Sequence, residues 1–306
     1  MISQRALSMT FRVSDTFIYN GFQGRLLPFL AKSRAERTWH IIGAVPGSGK
    51  TYGIGEVVRG SGMAKGKFGT THMPILSFRS PKNARSENAL GIAMTAAFGV
   101  VPNMPWDLRR TWLASEAARV GVELIIADDA QDLSLDQLTY LRELTDNLEA
   151  PPYNRKVGLC LICASENNTI PLVDTFKIRN ELKWRQFKRR LDAEAPSVMV
   201  SNHNVREVRE ICKVYEAIYR DQLPGLHLQQ WAKAIHGYLT TPILDPEGSG
   251  EATMHNIHRF LMYCLRTTFE LEKSDVEASL LIAASELMNL DFETVKQLKG
   301  AEDAEV

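Results

Sequence analysis

The chain has 306 residues, 44% of them hydrophobic and 24% charged, with 36 Lys and Arg balancing 36 Asp and Glu. That make-up belongs to a globular protein able to bury a substantial core, and it excludes an intrinsically disordered chain. No apolar run approaches the ~18 residues of a spanning helix, and the opening MISQRALSMTFRVSD carries neither an apolar signal core nor a cleavage site, so a cytoplasmic protein is expected.

The first element with chemical content is WHIIGAVPGSGKT, residues 39–51. Residues 41–44 read as a buried strand. Pro46, Gly47, Ser48 and Gly49 then let the backbone curl so that successive N–H groups aim inward, and Lys50 and Thr51 open a helix whose N-terminal dipole favours anions. In such a loop the N–H groups cradle phosphates, the lysine reaches the β and γ oxygens, and the threonine hydroxyl ligates Mg2+. Pro46, Gly47, Ser48, Gly49, Lys50, Thr51 and Tyr52 are therefore the candidate ATP-binding residues. Ala44 stands where the strict pattern has its first glycine; the glycines nearest the phosphates are in place.

From residue 57 to residue 86 there is no Asp or Glu, while Arg59, Lys65, Lys67, Arg79, Lys82 and Arg85 all fall inside. The stretch comprises a basic, glycine-rich loop at 60–69, expected to be flexible, and a strand at 73–80. Farther on, GVELIIADDAQDLS carries a strongly apolar strand at 124–127 that ends in Asp128 and Asp129. A phosphate-loop enzyme needs a hard anionic oxygen for its Mg2+, and the end of a neighbouring strand is where one reaches it; Asp128 fits that part. Asp129 stands where many such ATPases have a glutamate that orients or deprotonates the attacking water. One methylene shorter, it implies either a tightened site or slow hydrolysis, and we expect the latter.

A helix is expected at 135–148 and another apolar strand at 157–165. Cys160 and Cys163 have C-x-x-C spacing, but alternation along that strand points them to opposite faces, as buried thiols. Ser165 and Asn167, where this strand ends, are placed to sense a γ-phosphate or lytic water; Glu166 between them reads equally as a loop entry. A second basic cluster, residues 177–190, holds seven Lys or Arg and one acid, whereas 123–149 is acidic with Arg142 as its lone base. Such segregation suits a polyanion-binding face or head-to-tail contacts between subunits. A short strand at 197–201 completes a five-stranded parallel sheet covered by helices on both faces, with ligands at the strands' carboxyl ends, where Lys50, Asp128 and Ser165 fall.

After residue 201 the periodicity is helical. Val205, Val208, Cys212, Tyr215 and Tyr219 form one stripe, Leu228, Trp231, Ile235 and Leu239 a second, and Ile257, Phe260, Leu261, Cys264, Leu265 and Phe269 a third. A fourth helix is expected to begin at the capping-box pattern S-D-V-E, residues 274–277. His255 and His258 lie one helical step apart but lack a Cys or acidic neighbour for a zinc site. The organisation expected is an arm at 1–35, a nucleotide-binding core at 36–201, a helical lid at 202–290 and an acidic tail at 291–306.

A phosphate-loop α/β core followed by a helical lid resembles the AAA+ ATPases. GAVPGSGKT, GVELIIADDAQDL and the short arm FIYNGFQGRLLPFL look like transposition regulators of the TniB/TnsC/MuB type, which usually read D-E-A-Q or D-E-A-D where this chain has Asp128, Asp129, Ala130 and Gln131. The arm is too short for the extra N-terminal DNA-binding domain of MuB. The resemblance implies an ATPase that assembles with ATP and Mg2+ as rings or helical filaments on double-stranded DNA, away from membranes. It also implies a transposase and a target-selection protein as partners, target DNA being delivered to the transposase and strand transfer stimulated. It implies an arginine reaching the adjacent subunit's γ-phosphate, for which Arg185, Arg189 and Arg190 are candidates, and a lid sensor arginine, best matched by Arg259. Lys65, Lys67, Arg79, Lys82 and Arg85 would contact DNA phosphates, Arg79 to Arg85 following the second strand where such ATPases place a pore-facing element. The alternatives are another AAA+ DNA machine, such as a helicase loader or replication initiator, and a nucleotide switch that does not bind DNA.

Overall fold

The computed structural model describes residues 11–14, 16, 18–66, 69–82, 86–100, 103–165, 169–178 and 182–289. They form two compact units, one of Phe22–Ser201 and one combining residues up to Gly21 with those from Asn202 onward. Among the described residues no helix is long and apolar enough to cross a membrane, and no three or more His, Cys, Asp or Glu side chains gather as a metal-ligand cluster.

The first unit is built on a five-stranded, wholly parallel sheet in the order β4-β5-β6-β1-β7, with β1 at Trp39–Ala44, β4 at Ile75–Arg79, β5 at Leu124–Asp128, β6 at Gly158–Ala164 and β7 at Ser197–Met199. Near-continuous apolar strands require cover on both faces, and alternation along β1 supplies it. Trp39 and Ile41 pack with Leu76, Phe78, Ile125, Leu159 and Leu161 on one face, against α3 (Glu87–Ala97), α4 (Trp106–Val120) and α5 (Leu135–Glu149). Ile42 and Ala44 pack with Ile75, Leu124, Ile126 and Ile162 on the other, against α1 (Gly21–Glu36) and α2 (Lys50–Arg59). Cys160 belongs to the second face and Cys163 to the first, both buried, with burial pushing each thiol up to about 12. Ser134 and Gln137 cap α5 reciprocally, and the Gln137 amide also donates to the Ser86 carbonyl (3.0 Å), the residue that caps α3.

Two parts of this unit depart from the sequence expectation. The segment around 60–69 contains an exposed antiparallel ribbon, β2 (Ala64–Gly66) with β3 (Gly69–His72), where a flexible loop was expected. Arg119 of α4 ties it down by donating to the Thr70 carbonyl at 2.8 Å. The expected arm, in turn, is divided. Residues from Gly21 form the 16-residue α1, whose Phe22, Leu26, Leu30 and Ser33 are buried in the sheet's second face. The described residues before it belong to the helical unit, where Phe11 stacks on Tyr219 with centroids 5.3 Å apart and Arg12 exchanges backbone hydrogen bonds with the Gln222 amide.

That second unit packs α8 (Val205–Tyr219), α9 (Ala232–Leu239), α10 (Met254–Glu270) and α11 (Ala278–Asn289) around Tyr215, Tyr219, Ile235, Phe260, Leu261 and Leu281. Asn204 and Glu207 form a reciprocal cap on α8. The S-D-V-E pattern is not the cap of α11, which begins at Ala278. The Asp275 carboxylate instead accepts from the His227 and Val276 N–H groups, at 2.9 and 2.8 Å, and Lys273 pairs with Glu277 at 2.6 Å.

The junction of α1 with β6 leaves no room for a side chain at Gly158, where a Cβ would stand 2.2 Å from the Ser33 carbonyl oxygen and 3.2 Å from that of Thr38. Both obstacles are backbone. Gly158→Ala is expected to cost about 2 kcal/mol or more, as overpacking of a core does, read as a lower urea midpoint with an unchanged slope.

Candidate nucleotide-binding site

β1 is buried along its whole length and its last residue, Ala44, is still a strand residue, paired with Ala164 of β6. Ala44 is fully buried, and its carbonyl accepts from the Ser165 N–H at 3.0 Å and from Lys50 Nζ at 2.9 Å. A small side chain suits that position, which explains the departure from the strict glycine pattern. The chain then turns through Gly47 (φ 81°) and Gly49 (φ 98°), left-handed conformations that cost glycine little. Ser48 between them is fully buried, and its hydroxyl has no hydrogen-bond partner among the described residues. Lys50 opens α2 and lies back over the loop, its ammonium also reaching the Val45 carbonyl at 3.3 Å. Burial holds its pKa below that of an ordinary lysine, while Asp128 and Asp129 pull the other way. Pro46 and Gly47 are exposed, and Tyr52, on the first turn of α2, is 46% exposed.

At the end of β5 the buried Asp128 accepts from the Thr51 hydroxyl at 2.6 Å through Oδ2 and from the Asp129 N–H at 3.0 Å through Oδ1. A threonine hydroxyl against a carboxylate, beside an anion-binding loop, is a donor set that fits a hard divalent cation; Thr51 and Asp128 are the residues that would hold Mg2+.

Asp129 adopts a left-handed conformation (φ 54°), which Asp tolerates better than most residues. Its carboxylate accepts from Arg79 Nε at 2.6 Å. Arg79 is the last residue of β4, in register with Asp128, so the sheet itself brings the two side chains to one edge. Ser80 and Ser165 follow β4 and β6; both are buried, and both hydroxyls lack a partner among the described residues. Gln131, which the sequence reading assigned no role, accepts from the Ala164 N–H at 2.9 Å and fixes the turn after Asp129 against the end of β6.

Lys50, Thr51, Asp128, Asp129 and Ser165 thus share the carboxyl edge of the sheet; Asn167 lies outside the described residues. Of the expected DNA contacts, Lys65 is exposed on β2, Lys82 is exposed beyond β4, and Arg79 is engaged by Asp129, while Lys67 and Arg85 lie outside the described residues. Beyond α6 (Pro171–Ile178), Arg185 on α7 (Leu182–Lys188) and Arg189 just after it are exposed, with no ion-pair partner among the described residues. Arg190 is committed within the chain. It pairs with Asp146 at 2.6 Å and Glu149 at 3.3 Å, and its guanidinium sits 5.7 Å from the Trp39 ring centroid, at the amino edge of the sheet. Arg259 is exposed on α10 of the helical unit.

Asp128→Asn keeps the shape of the Thr51 partner and removes its charge. It is expected to abolish the Mg2+-dependent part of ATP affinity and to leave binding in EDTA near the parent value, as read by titration with a fluorescent ATP analogue.

No protein-family model and no curated protein matches the chain. Solved structures do. The Aeropyrum pernix ORC2 protein, determined as ADPNP–ADP complexes, is 12% identical with a TM-score of 0.59 over 94% of this chain and 72% of its own. Cdc6p from Pyrobaculum aerophilum is 12% identical with a TM-score of 0.58 over 86% of this chain and 66% of its own. Drosophila ORC bound to DNA is 11% identical with a TM-score of 0.50 over 94% of this chain and 73% of its own. At such identities the likeness is one of fold alone: a five-stranded parallel sheet with the glycine turn of residues 46–49 at its carboxyl edge, followed in sequence by a helical unit.

Proposed function

We propose that the chain is an ATP-dependent, DNA-binding ATPase that oligomerises on duplex DNA and delivers target DNA to a transposase. The observation that carries the DNA-coupled part is the Arg79–Asp129 ion pair. It joins the one described arginine among the expected DNA contacts to the carboxylate expected to orient the lytic water. While Asp129 accepts from Arg79, that carboxylate faces the end of β4, and water activation is impaired. Arg79 is 67% exposed in the pair, and exposed ion pairs are worth about 0–1 kcal/mol. A DNA phosphate can therefore compete for the guanidinium and free Asp129. Hydrolysis would then be slow off DNA and faster on it, a behaviour that suits a timer of assembly better than a motor.

The remaining roles follow from this reading. Backbone N–H groups of residues 47–50 and the Lys50 ammonium bind the phosphates, with Thr51 and Asp128 placed to hold Mg2+. Bound there, Mg2+ supplies charge neutralisation at the β and γ oxygens. Ser165 and Asn167 sense the γ-phosphate or the water. Arg185 and Arg189, which have no ion-pair partner among the described residues, are preferred over Arg190 as the arginine offered to an adjacent subunit, and Arg259 is the lid sensor. Lys65, Lys67, Lys82 and Arg85 extend the phosphate contacts of Arg79. Support for the nucleotide comes from the likeness to ORC2, a protein determined in ADPNP–ADP complexes, and support for DNA from the likeness to an ORC determined bound to it. The transposase partner rests on the sequence resemblance. The same fold likeness favours a second reading, a replication initiator or helicase loader, which would not stimulate strand transfer.

Duplex DNA is expected to raise the parent's ATP turnover. Arg79→Ala is expected to raise the DNA-free rate about two- to fivefold, the worth of an exposed pair, and to remove most of the DNA stimulation. A DNA-free rate unchanged by the substitution, with stimulation intact, would count against the coupling. DNA-indifferent turnover in the parent would favour a nucleotide switch without DNA.

A further inference from the structure

The phosphate loop is held from outside by a helix that the sequence reading treated as part of an arm. α1 lays Phe22, Leu26 and Leu30 against the face of the sheet that carries Ile42, Ala44 and Ile54. Gln23 lies beside that stripe. It is 1% exposed, and its side-chain amide donates to the Gly49 carbonyl at 3.2 Å. The same carbonyl accepts from the Gly53 N–H at 3.0 Å, so two donors fix it.

The consequence falls on the next atom along the chain. A peptide group is planar and trans, so its N–H points opposite to its C=O. Fixing the Gly49 oxygen fixes the Lys50 N–H, one of the first-turn donors of α2 that lack an intrahelical partner. Gly49 offers no help of its own: it has no side chain to cap the helix, and its φ of 98° lies where glycine has wide freedom. α2 also keeps room for the clamp. A Cβ at Gly53 would stand 2.1 Å from Gln23 Oε1 and 2.9 Å from its Cδ, although glycine is a weaker helix former than alanine.

We propose that Gln23 is a positioning residue for nucleotide binding, acting through the Gly49–Lys50 peptide to hold the Lys50 N–H in its phosphate-binding orientation before the ligand arrives. The inference rests on the nucleotide-binding reading above. The amide acts on the loop rather than on the metal, so its effect is the same for di- and triphosphate and with or without Mg2+.

The test is titration of the full chain with fluorescent ADP and ATP analogues, in Mg2+ and in EDTA. Gln23→Met keeps the length of the side chain and removes its donors. A net hydrogen bond is worth about 0.5–1.5 kcal/mol, so affinity is expected to fall about three- to tenfold for both nucleotides under both conditions. Arg25→Met is the control. It removes another side chain of α1 that donates to a backbone carbonyl, that of Ser201 at 3.1 Å, and is expected to bind nucleotide like the parent. Should Gln23→Met fail to fold, Gly53→Ala displaces the Gln23 amide with a methyl group and is expected to give the same loss. Parent-like affinity in the Gln23 or Gly53 variant would overturn the proposal, as would an equal loss in Arg25→Met, which would mean that any loosening of α1 suffices. A parent chain that binds neither analogue would overturn the nucleotide-binding reading itself, and this inference with it.

Discussion

The parallel pairing of β1 with β6, from Trp39 against Leu159 to Ala44 against Ala164, is the constraint on which the site depends. It ends both strands at the same level, so the Ala44 carbonyl accepts at once from the Ser165 N–H and the Lys50 ammonium. β5, paired to the other side of β6, brings Asp128 to the same edge, and β4 then adds Arg79 in register with Asp128. No loop has to search for these positions. A register slip of one residue would turn every side chain of β1 to the opposite face and exchange two packed cores. The chemistry at the carboxyl edge is therefore as fixed as the hydrophobic core beneath it.

Much of this edge was legible in the sequence because its determinants are local. Gly47 and Gly49 allow the turn, Lys50 and Thr51 follow it, and Asp128 ends a run of apolar residues. The five strands were legible for the same reason, since parallel strands buried on both faces read as apolar blocks. α1 was not, because Gly24 and Pro28 interrupt its helical signal, and it holds together through burial of Phe22, Leu26 and Leu30. Tertiary packing outweighs propensity there. The S-D-V-E pattern misled in the opposite way. Its aspartate serves the His227 N–H, a donor 48 positions away in sequence, so local capping lost to a long-range demand. The Arg79–Asp129 and Gln23–Gly49 contacts, 50 and 26 positions apart, have no local signature at all.

Charge segregation takes a different meaning once the ion pairs are placed. Much of the acidic stretch is answered inside the chain: Glu123 by Arg34 and Arg37, Glu143 by Arg110, and Asp146 and Glu149 by Arg190. Lys65, Lys82, Arg185 and Arg189 are exposed and have no ion-pair partner among the described residues. Among the described residues the acidic stretch is thus largely paired and these four cations are not, which is the charge pattern that the proposed polyanion partner needs. Arg79 stands apart from them, because its charge is answered by Asp129, the carboxylate proposed to orient the lytic water.

In the proposed function, nucleotide binding and duplex DNA act together on assembly. Electron microscopy of the full chain with a non-hydrolysable ATP analogue, with and without duplex DNA, tests it most directly. Rings or filaments that need both the analogue and the duplex are the predicted result. Small oligomers of one size, whether or not duplex is present, would contradict it.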